Sequence, residues 1–518
     1  MRTPTRLLPP IVGVALATIA ISGCGSSSTQ SQTNEGKASA GGILHLEVGE
    51  EPKNLNPTEA YSLGSERVMA LINETLFRTS PQVKTEPWLA QSAKATNGEK
   101  TWRIALRPGV KFSDGKDLTS GDVVFTIEQL RKSPSFATLF EPIVSVREDS
   151  ARALVIETKT PMPSLIGDLS FPQAGIVPKN FGGVTAKVFA NQPVGTGPFK
   201  LEGPWVPGKP VHLHRNPLYW QVGKPKLDEV VVEGVAESSS RSSQLRAGET
   251  DVIEAPAFSE IAQIESTPGL RLDTFAEGST DSLVFNANSP LFHDPRVAEA
   301  VSLAIDRSTL VKAAQEGIGK PEGTWFPPTV SYSDPQLLPN RNPSKARSLL
   351  AEATAETGAR PSFTLFVPAG ESRLATIAQV IQQELDGVGF DVTIQPMDAI
   401  ALQSEVEAGK FEASFGLHES PIEDPSLLVA FAVGSKVWYT DSPAVGEMSH
   451  LLDLATNTLI SNKERAELYR RIQKAAIAGG TLVPLVSKPF VYAMSDNVVG
   501  FEAGIGGQPV LINTGFTG

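Results

Sequence analysis

The chain has 518 residues, of which 40% are hydrophobic, and a formal net charge of −12. This length exceeds what one ordinary hydrophobic core supports, so we expect two or three domains. The acidic balance argues against nucleic acid as a partner, because phosphate backbones are bound by basic surfaces. The single cysteine, Cys24, excludes a disulfide within the chain.

The first 23 residues have the pattern of an export signal. Arg2 and Arg6 form a charged start, residues 7–21 are mostly apolar, and Ser22 and Gly23 place small residues before Cys24. The apolar run is broken by prolines and is shorter than the roughly 20 residues that a membrane-spanning helix needs. The pattern resembles the bacterial lipoprotein signal, in which diacylglycerol is joined to the cysteine thiol and the preceding segment is removed. The alternative is an ordinary secretory signal with a chance cysteine.

Residues 24–42 are predicted to form a flexible tether, because they are rich in Ser, Gly and Thr and contain almost no apolar side chains. We therefore expect a soluble body in the cell envelope, lipid-anchored on the outer face of the cytoplasmic membrane. Lipidation of Cys24 would leave no thiolate for a metal site. No later apolar run approaches about 18 residues, so no other segment is predicted to span a membrane.

In the first half of the chain, alternating apolar residues predict strands and apolar residues three or four apart predict helices. The predicted strands cover residues 43–49, 101–107, 110–115, 152–157, 199–202 and 230–232. The predicted helices cover residues 65–77, 121–131 and 238–247. In the strand over 43–49, Leu44, Leu46 and Val48 should share the buried face.

The second half continues with the same two patterns. Predicted strands cover residues 282–286, 363–367, 390–394, 482–486 and 490–493. Predicted helices cover residues 294–317, 344–357, 372–385, 402–408 and 463–478. Residues 363–394 therefore form a predicted βαβ unit with parallel strands and a right-handed connection. Residues 411–416 lead into a predicted loop over 418–425.

The segment VKFSDGKDLTSGDVVF at residues 110–125 resembles the motif VkFhDGtplTaeDVvf of the oligopeptide-, dipeptide- and nickel-type solute-binding proteins of ABC importers (extracellular solute-binding protein family 5). A second match joins GTGPF at 195–199, RNPLYW at 215–220 and KLDEV at 226–230. Shorter matches are NLNP at 54–57, NETL at 73–76, LRAGETDV at 245–252, DPRV at 294–297 and AIDR at 304–307.

The resemblance covers nearly all of the chain after residue 42. It implies an α/β, two-lobed periplasmic-binding-protein-like fold, with an extra subdomain inserted in the first lobe. The implied assignment is 43–60, 191–276 and 484–518 to the first lobe, 61–190 to the inserted subdomain, and 277–483 to the second lobe. Hinges would lie near residues 274–281 and 482–486, where the chain crosses between the lobes.

The family's ligand loop reads roughly gW.aD..DP, and its first aspartate pairs with the α-ammonium of a peptide. Residues 416–425 read GLHESPIEDP, so Leu417 replaces the tryptophan and no aspartate precedes Asp424. Glu419, beside His418, could supply the missing carboxylate, because a buried ammonium must be paired. The alternative is a solvated Glu419 on a variable loop.

Other candidates for the ligand cleft are aromatic side chains, each of which could equally belong to the core: Tyr61, Trp325, Phe326, Trp438 and Tyr439. Phe285 and Asn286, at the end of a strand entering the second lobe, are further candidates. His212 and His214 share one face of a predicted strand and could form half of a metal site, although structural or surface histidines are favoured.

The chain contains none of the familiar hydrolase motifs in a supporting context, so we expect neither an enzyme nor a cofactor. The sequence predicts a monomeric, lipid-anchored binding protein that captures a peptide-like solute and presents it to a membrane permease. One alternative is a non-peptide ligand, such as a metal chelate, haem, an opine or a glycoside. Another is an envelope regulatory or scaffold lipoprotein that has lost transport.

Overall fold

A computed structural model describes residues 38–59, 62–80, 83–275, 278–355, 360–420, 422–434, 444–457 and 459–518. The predictions on the signal segment, on Cys24, and on Tyr61, Trp438 and Tyr439 lie outside these residues. Within the described ranges, no helix combines the length and the apolar character needed to cross a membrane.

In chain order, the strands are β1 (Ile43–Val48), β2 (Phe77–Thr79), β3 (Thr85–Pro87), β4 (Ala90–Thr96), β5 (Thr101–Leu106), β6 (Ile143–Ser150), β7 (Ala153–Thr158), β8 (Phe199–Leu201), β9 (Val211–Arg215), β10 (Glu229–Gly234), β11 (Val252–Glu254), β12 (Leu270–Thr274), β13 (Ser279–Phe285), β14 (Ser362–Pro368), β15 (Asp391–Met397), β16 (Ala413–Glu419), β17 (Leu482–Lys488), β18 (Val491–Ser495), β19 (Val498–Val499), β20 (Glu502–Ala503), β21 (Pro509–Val510) and β22 (Gly515–Phe516).

The α-helices follow the same order. They are α1 (Leu63–Ile72), α2 (Ser120–Leu130), α3 (Ala137–Phe140), α4 (Leu165–Asp168), α5 (Ala186–Phe189), α6 (Ser238–Ala247), α7 (Ile261–Ser266), α8 (Pro295–Ala304), α9 (Arg307–Gln315), α10 (Pro343–Ala353), α11 (Ser372–Asp386), α12 (Ala399–Glu407), α13 (Ser426–Gly434), α14 (Ala444–Asn457) and α15 (Asn462–Ala478). Short 3₁₀ turns cover Pro172–Ala174, Lys179–Gly183, Phe258–Glu260 and Pro335–Leu337.

The first sheet has seven strands in the order β12-β18-β11-β1-β10-β9-β8. Strand β1 lies in its centre and pairs in parallel with β10 and β11. Leu44, Leu46 and Val48 are buried, as their alternation predicts, and they share one core with Val68 and Ile72 of α1.

The second sheet has five strands in the order β15-β14-β16-β13-β17. Strands β14 and β15 are parallel and are connected by α11, which confirms the predicted βαβ unit. Ile377, Ile381 and Leu385, at the helical spacing of four, bury one face of α11 against this sheet.

The third sheet has four antiparallel strands in the order β4-β5-β7-β6. Its residues lie in the chain between β1 and β8 of the first sheet, so it is an insertion into that sheet. Helix α2 packs against it and begins with a capping box, in which Thr119 and Asp122 each bond the backbone N–H of the other. Ile422 and Leu427, which follow β16, are buried in the core of this sheet.

Three segments of the predicted family motifs converge on the buried carboxyl group of Glu74. Its oxygens accept hydrogen bonds from Thr196 Oγ1 and Tyr219 Oη, both at 2.9 Å. They also accept from the indole N–H groups of Trp88 at 2.8 Å and Trp220 at 3.1 Å. The motif residues therefore hold the first and third sheets together through one shared acceptor.

Some element boundaries differ from the prediction. The single helix predicted over 294–317 is two helices, because Ile305 is extended and the Asp306 side chain caps α9. The helix predicted over 65–77 ends at Ile72, where Asn73 becomes extended. The strand predicted over 110–115 is reduced to an isolated bridge between Lys111 and Asp117.

The predicted tether and the predicted ligand loop are both shorter. Ser39 and Gly41 donate backbone hydrogen bonds of 2.9 Å to Phe516 and Lys226, so the last residues of the tether are fixed to the first sheet. Strand β16 continues through His418 and Glu419 because β13 pairs with both residues. Strand β17 belongs to the second sheet, so the predicted lobe boundary at 484 lies inside a strand.

Candidate ligand-binding site

Strand ends from the first and second sheets come together at one place. In open α/β sheets, ligands bind outside the carboxyl ends of the parallel strands. In the first sheet, β11 ends at Glu254, and in the second sheet β16 and β17 end at Glu419 and Lys488. Gly278, just before β13, fits against the backbone of Ile505, where an added Cβ would lie 2.0 Å from the Ile505 carbonyl oxygen. The two lobes are therefore in direct contact.

The first-lobe side of this junction is organised by Arg67 of α1, which is only 1% exposed. Its Nε and Nη2 atoms lie 2.8 Å and 2.7 Å from Glu254 Oε1, and its Nη1 donates to the carbonyl oxygen of Gly506 at 2.9 Å. The remaining Glu254 oxygen accepts from the backbone N–H of Gly49 at 3.3 Å. A buried guanidinium is tolerated only when it is paired in this way.

Glu66, the neighbour of Arg67, is also buried and also bonded. Its Oε2 accepts from Gln173 Nε2 at 3.1 Å, and its Oε1 accepts from Gln508 Nε2. Its Oε1 lies 3.7 Å from Arg67 Nη1, a weaker contact than the one to Glu254. Glu66 therefore adds negative charge that Arg67 does not fully offset.

Glu419 faces this cluster from the second lobe. Glu419 and Lys488 pair with Ser279 from opposite sides, so they are carried by β16 and β17, the two strands that flank β13. The pKa of Glu419 is raised to about 7, chiefly by burial; Arg67 and Lys488 oppose the increase, and the charges of Glu66 and Glu254 add to it. Arg67 and Lys488 therefore do not fully compensate the cost of ionising the Glu419 carboxyl group at neutral pH.

A pocket of about 150 Å³ lies in the first lobe, beginning one helical turn after Glu66. It lies between α1, the 3₁₀ turn at Pro172 and the β20–β21 hairpin, and its walls include Ala70, Trp88 and Leu511. Asn73 also lines it, and Asn73 Oδ1 is buried without a hydrogen-bond partner among the described residues. Mostly apolar pockets with a few polar atoms are typical of small-molecule sites.

The other sequence-predicted residues have different surroundings. Trp325 is fully buried, and its ring centroid lies 4.8 Å from the ring centroid of Phe326 and 5.4 Å from that of His418. The pKa of His418 is lowered to about 4 by burial, although the negative charge of Asp281 opposes the decrease. Leu417, on the opposite face of β16, is 44% exposed.

Asn286 lies at the far end of β13 from Glu419. Its Nδ2 donates to the carbonyl oxygens of Gly409 and Phe411 at 2.9 Å and 2.8 Å, and its Oδ1 accepts from the Asn288 backbone. Phe285 beside it stacks on Phe292 at 4.1 Å in the core. The structure thus brings Trp325 and His418 together but separates Asn286 from Glu419.

Sequence reasoning missed Glu66, Arg67, Glu254 and Lys488. The sequence offered little signal for them, because Glu254 ends a strand that was not predicted and the strand predicted over 482–486 stops two residues before Lys488. Arg67 and Glu254 are 187 residues apart in the chain, and their pairing follows only from the sheet order.

His212 and His214 both face Glu229 on the neighbouring strand. The Nδ1 atom of His212 lies 2.8 Å from Glu229 Oε1, and the Nδ1 atom of His214 lies 3.8 Å from Glu229 Oε2. Within the described part of the chain, no three His, Cys, Asp or Glu side chains are arranged to hold a metal ion.

Two α/β lobes in contact, with buried charges gathered where their strands end, define a two-lobed binding protein. The family model for "Bacterial extracellular solute-binding proteins, family 5 Middle" matches residues 84–438, more than half of the chain. The chain therefore belongs to family 5 of the extracellular solute-binding proteins, which serve ABC importers.

Relatives agree with this assignment. The glutathione-binding protein GsiB of Escherichia coli K12 is 27% identical over 473 residues, covering 88% of this chain and 90% of GsiB. The Helicobacter pylori periplasmic binding protein DppA, in complex with the peptide STSA, superposes with a TM-score of 0.78 at 23% identity, covering 93% of this chain and 99% of DppA. The binding protein AgaA of A. tumefaciens R10, in complex with agropinic acid, superposes with a TM-score of 0.76 at 24% identity, covering 92% of this chain and 99% of AgaA.

These comparisons confirm the two-lobed α/β fold and the resemblance drawn from the sequence motifs. The relatives are binding proteins of transporters and not enzymes, which confirms the expectation that this chain is not an enzyme.

The Arg67–Glu254 pair can be tested by a double-mutant cycle. Arg67→Met or Glu254→Gln alone should lower the free energy of unfolding by about 3–5 kcal/mol, because each leaves a buried charge unpaired. The double variant should lose clearly less than the sum of the two single losses. Chemical denaturation provides the measurement.

A matched control is Arg131→Met, which removes a helix-surface pair of the same 2.7 Å distance to Glu128. That change should cost less than about 1 kcal/mol, since the pair is partly exposed. Additive losses in the Arg67–Glu254 cycle would contradict the pairing.

Proposed function

We propose that this protein is the lipid-anchored substrate-binding component of an ABC importer, and that it captures a short peptide or peptide-like solute with a free ammonium group between its lobes. The observation that carries the proposal is the position of Glu419. It stands at a strand end of the second lobe, where the charges of Glu66 and Glu254 of the first lobe act on it.

Charge is the first argument for a cationic group on the ligand. Three carboxyl groups, those of Glu66, Glu254 and Glu419, face two cations, Arg67 and Lys488. Arg67 lies closest to Glu254, so its charge is largely used there. A ligand ammonium beside Glu419 would supply the missing positive charge and would stabilise the ionised carboxylate.

The pocket beside α1 gives the second argument, because it offers apolar volume close to the charge cluster. Gln508 lines the pocket and also bonds Glu66, so the two features adjoin. A solute that places an ammonium at Glu419 and an apolar group towards this pocket fits both. Trp325, Leu417 and His418 remain proposed ligand contacts around Glu419, and Asn286 a proposed contact of the second lobe. Tyr61, Trp438 and Tyr439 are proposed to complete the cleft.

Capture would proceed by closure of the lobes about the two chain crossings. We propose that the first lobe comprises 43–60, 191–276 and 489–518 together with the subdomain 61–190 inserted in it, so that α1 belongs to the first lobe, and that the second lobe comprises 277–488. The shift from 484 to 489 follows strand β17 into the second sheet.

The relatives support a peptide ligand, but also a non-peptide ligand as the alternative. GsiB is named for glutathione, and the DppA structure holds the peptide STSA. The AgaA structure holds agropinic acid instead, which keeps a non-peptide ligand as the second candidate.

Anchoring would follow from lipidation of Cys24. Two acyl chains hold a protein on a membrane stably, whereas one chain does not. A body tethered in this way stays at a high local concentration around its permease, which favours delivery of the ligand.

The ligand class is tested by thermal unfolding with a panel of di- to pentapeptides, each with a free or an acetylated amino terminus. Free peptides should raise the melting temperature, and acetylated ones should not, because acetylation removes the ammonium that Glu419 would pair with. Glu419→Gln should weaken binding of the free peptides at least about tenfold, as expected for loss of a charged hydrogen bond.

Binding should also strengthen as the pH rises through about 7, since ionisation of Glu419 then no longer has to be driven by the ligand. Glu467→Gln, on the exposed surface of α15, is the matched control and should bind like the parent. Equal affinity for free and acetylated peptides would contradict the role of Glu419. Stabilisation by chelates or opines, with none by peptides, would favour the rival ligand.

The anchor is tested by Cys24→Ser in the native host. The parent protein should sediment with membranes, and the variant should appear in the soluble fraction, because the thiol that takes the lipid is gone. Ser26→Ala, two residues further along, is the control and should stay with membranes. A membrane-bound Cys24→Ser protein would show that the anchor is not this thiol.

A further inference from the structure

The pocket beside α1 contains one buried polar atom that no described residue satisfies. Asn73 lines this pocket and is only 5% exposed, and its Oδ1 has no hydrogen-bond partner among the described residues. Its Nδ2 donates to the carbonyl oxygen of Ile176 at 3.4 Å, so the amide cannot turn over without losing that bond. Gly175 packs closely against it, because an added Cβ there would lie 2.9 Å from the Asn73 Cβ. The Oδ1 acceptor is therefore held in one position.

Other polar side chains of the pocket walls are bonded within the protein. The Thr75 hydroxyl donates to the carbonyl oxygen of Phe77, and the Ser170 hydroxyl donates to that of Gly167 at 2.7 Å. The carboxyl group of Glu74 accepts from four side chains and needs no further donor. These groups therefore do not require a ligand.

The charged and exposed wall residues are accounted for in the same way. Arg78 pairs with Glu86 at 2.7 Å, and its guanidinium lies 3.7 Å from the ring centroid of Trp88. Glu502 is partly exposed and can be hydrated. Among the described residues that line the pocket, Asn73 therefore carries the one buried side-chain atom without a hydrogen-bond partner. A buried acceptor costs free energy until a donor reaches it, so the pocket favours a ligand group that carries a donor.

The size and the walls of the pocket favour a flat apolar group. Its volume of about 150 Å³ is that of a cavity that holds one benzene ring. Leu71, Trp88 and Leu511 are among its apolar walls. A phenol combines a flat apolar ring with a hydroxyl that donates a hydrogen bond. The side chain of tyrosine therefore matches both the walls and the free acceptor.

The pocket lies beside the strand end that carries Glu419. Ile505 lines the pocket, and Gly278, just before β13, packs against the Ile505 carbonyl oxygen. The carbonyl oxygen of Gly278 accepts in turn from the backbone N–H of Ser420 at 3.3 Å. Ser420 is the residue after Glu419, so the pocket wall and the Glu419 backbone are joined through one glycine.

The spacing along α1 fits a single amino acid. Glu66 and Asn73 are seven residues apart, which is roughly 10 Å at a rise of about 1.5 Å per residue. One tyrosine residue spans this distance when its ammonium group and its hydroxyl each add a hydrogen bond at either end. The ammonium group at Glu419 and the ring in the pocket can therefore belong to the same residue of the ligand.

We propose that the pocket receives the side chain of the ligand's amino-terminal residue and selects tyrosine, with Asn73 as the residue that determines this specificity. The tyrosine hydroxyl donates to Asn73 Oδ1, and its ring packs between Leu71, Trp88 and Leu511. The inference rests on the proposed function, because it takes from it the ammonium group paired with Glu419. It adds the identity of the side chain that follows that ammonium group.

The test compares ligands that differ by one hydroxyl. Isothermal titration calorimetry at fixed pH measures the dipeptides Tyr-Ala, Phe-Ala and Ala-Ala on the full chain carrying Cys24→Ser. Tyr-Ala should bind about tenfold more tightly than Phe-Ala, because only the phenol supplies a donor to Asn73 Oδ1. Asn73→Leu removes the acceptor at similar side-chain volume and should remove the difference between the two dipeptides.

Two further variants serve as controls. Ala70→Phe fills the pocket and leaves the Asn73 amide in place, which guards against misfolding of Asn73→Leu. Both aromatic dipeptides should then bind no better than Ala-Ala, and Ala-Ala should bind as it does to the parent. Asn462→Leu, on the exposed first turn of α15, is the matched control and should keep the tenfold preference.

The outcomes separate this inference from the proposed function. Equal affinity of Tyr-Ala and Phe-Ala for the parent would overturn the role of Asn73 and leave peptide binding intact. A preference for Tyr-Ala that persists in Asn73→Leu would overturn it as well. No binding of any of the three dipeptides would contradict the proposed function, and this inference with it.

Discussion

Charge removed from water must be paired, and that constraint shapes the junction of the two lobes. Arg67 satisfies it through Glu254 and the Gly506 carbonyl, which fixes α1 against the end of β11 and the segment before β21. Glu419 of the other lobe arrives at a site where the cation is already engaged. Under the proposed function, a ligand would bring the positive charge that pairs with Glu419.

The family motifs and the proposed ligand site differ in how their side chains are held. The motif residues Glu74, Thr196, Tyr219 and Trp220 are committed to one another, so they maintain the scaffold. The residues around Glu419 lie at strand ends, where side chains change without disturbing a core.

Local sequence patterns predicted the elements whose stability is local. Two patterns were sufficient to predict β1 and α11, because burial of one face decides each element. They are the alternation of Leu44, Leu46 and Val48 and the helical spacing of Ile377, Ile381 and Leu385. The break before α9 was missed because the Asp306 cap competes with an otherwise continuous helical pattern.

The site was less accessible from sequence because tertiary pairing decides it. His418 and Glu419 belong to β16 only because β13 extends alongside them, and neither residue favours a strand by itself. Trp325 and Phe326 pack against residues of distant helices, so no local pattern predicted their surroundings. The pairing of Arg67 with Glu254 depends on the order of strands in a sheet, which no local pattern encodes.

The cleft between the lobes is proposed to take a solute with a free ammonium group, opposite Glu419. Native mass spectrometry of the protein, purified from its own host without added ligand, would identify that solute. We expect a series of mass increments that fit short peptides with free amino termini, and a loss of that series in Glu419→Gln. A single discrete increment of a non-peptide compound, unchanged in Glu419→Gln, would contradict the proposal.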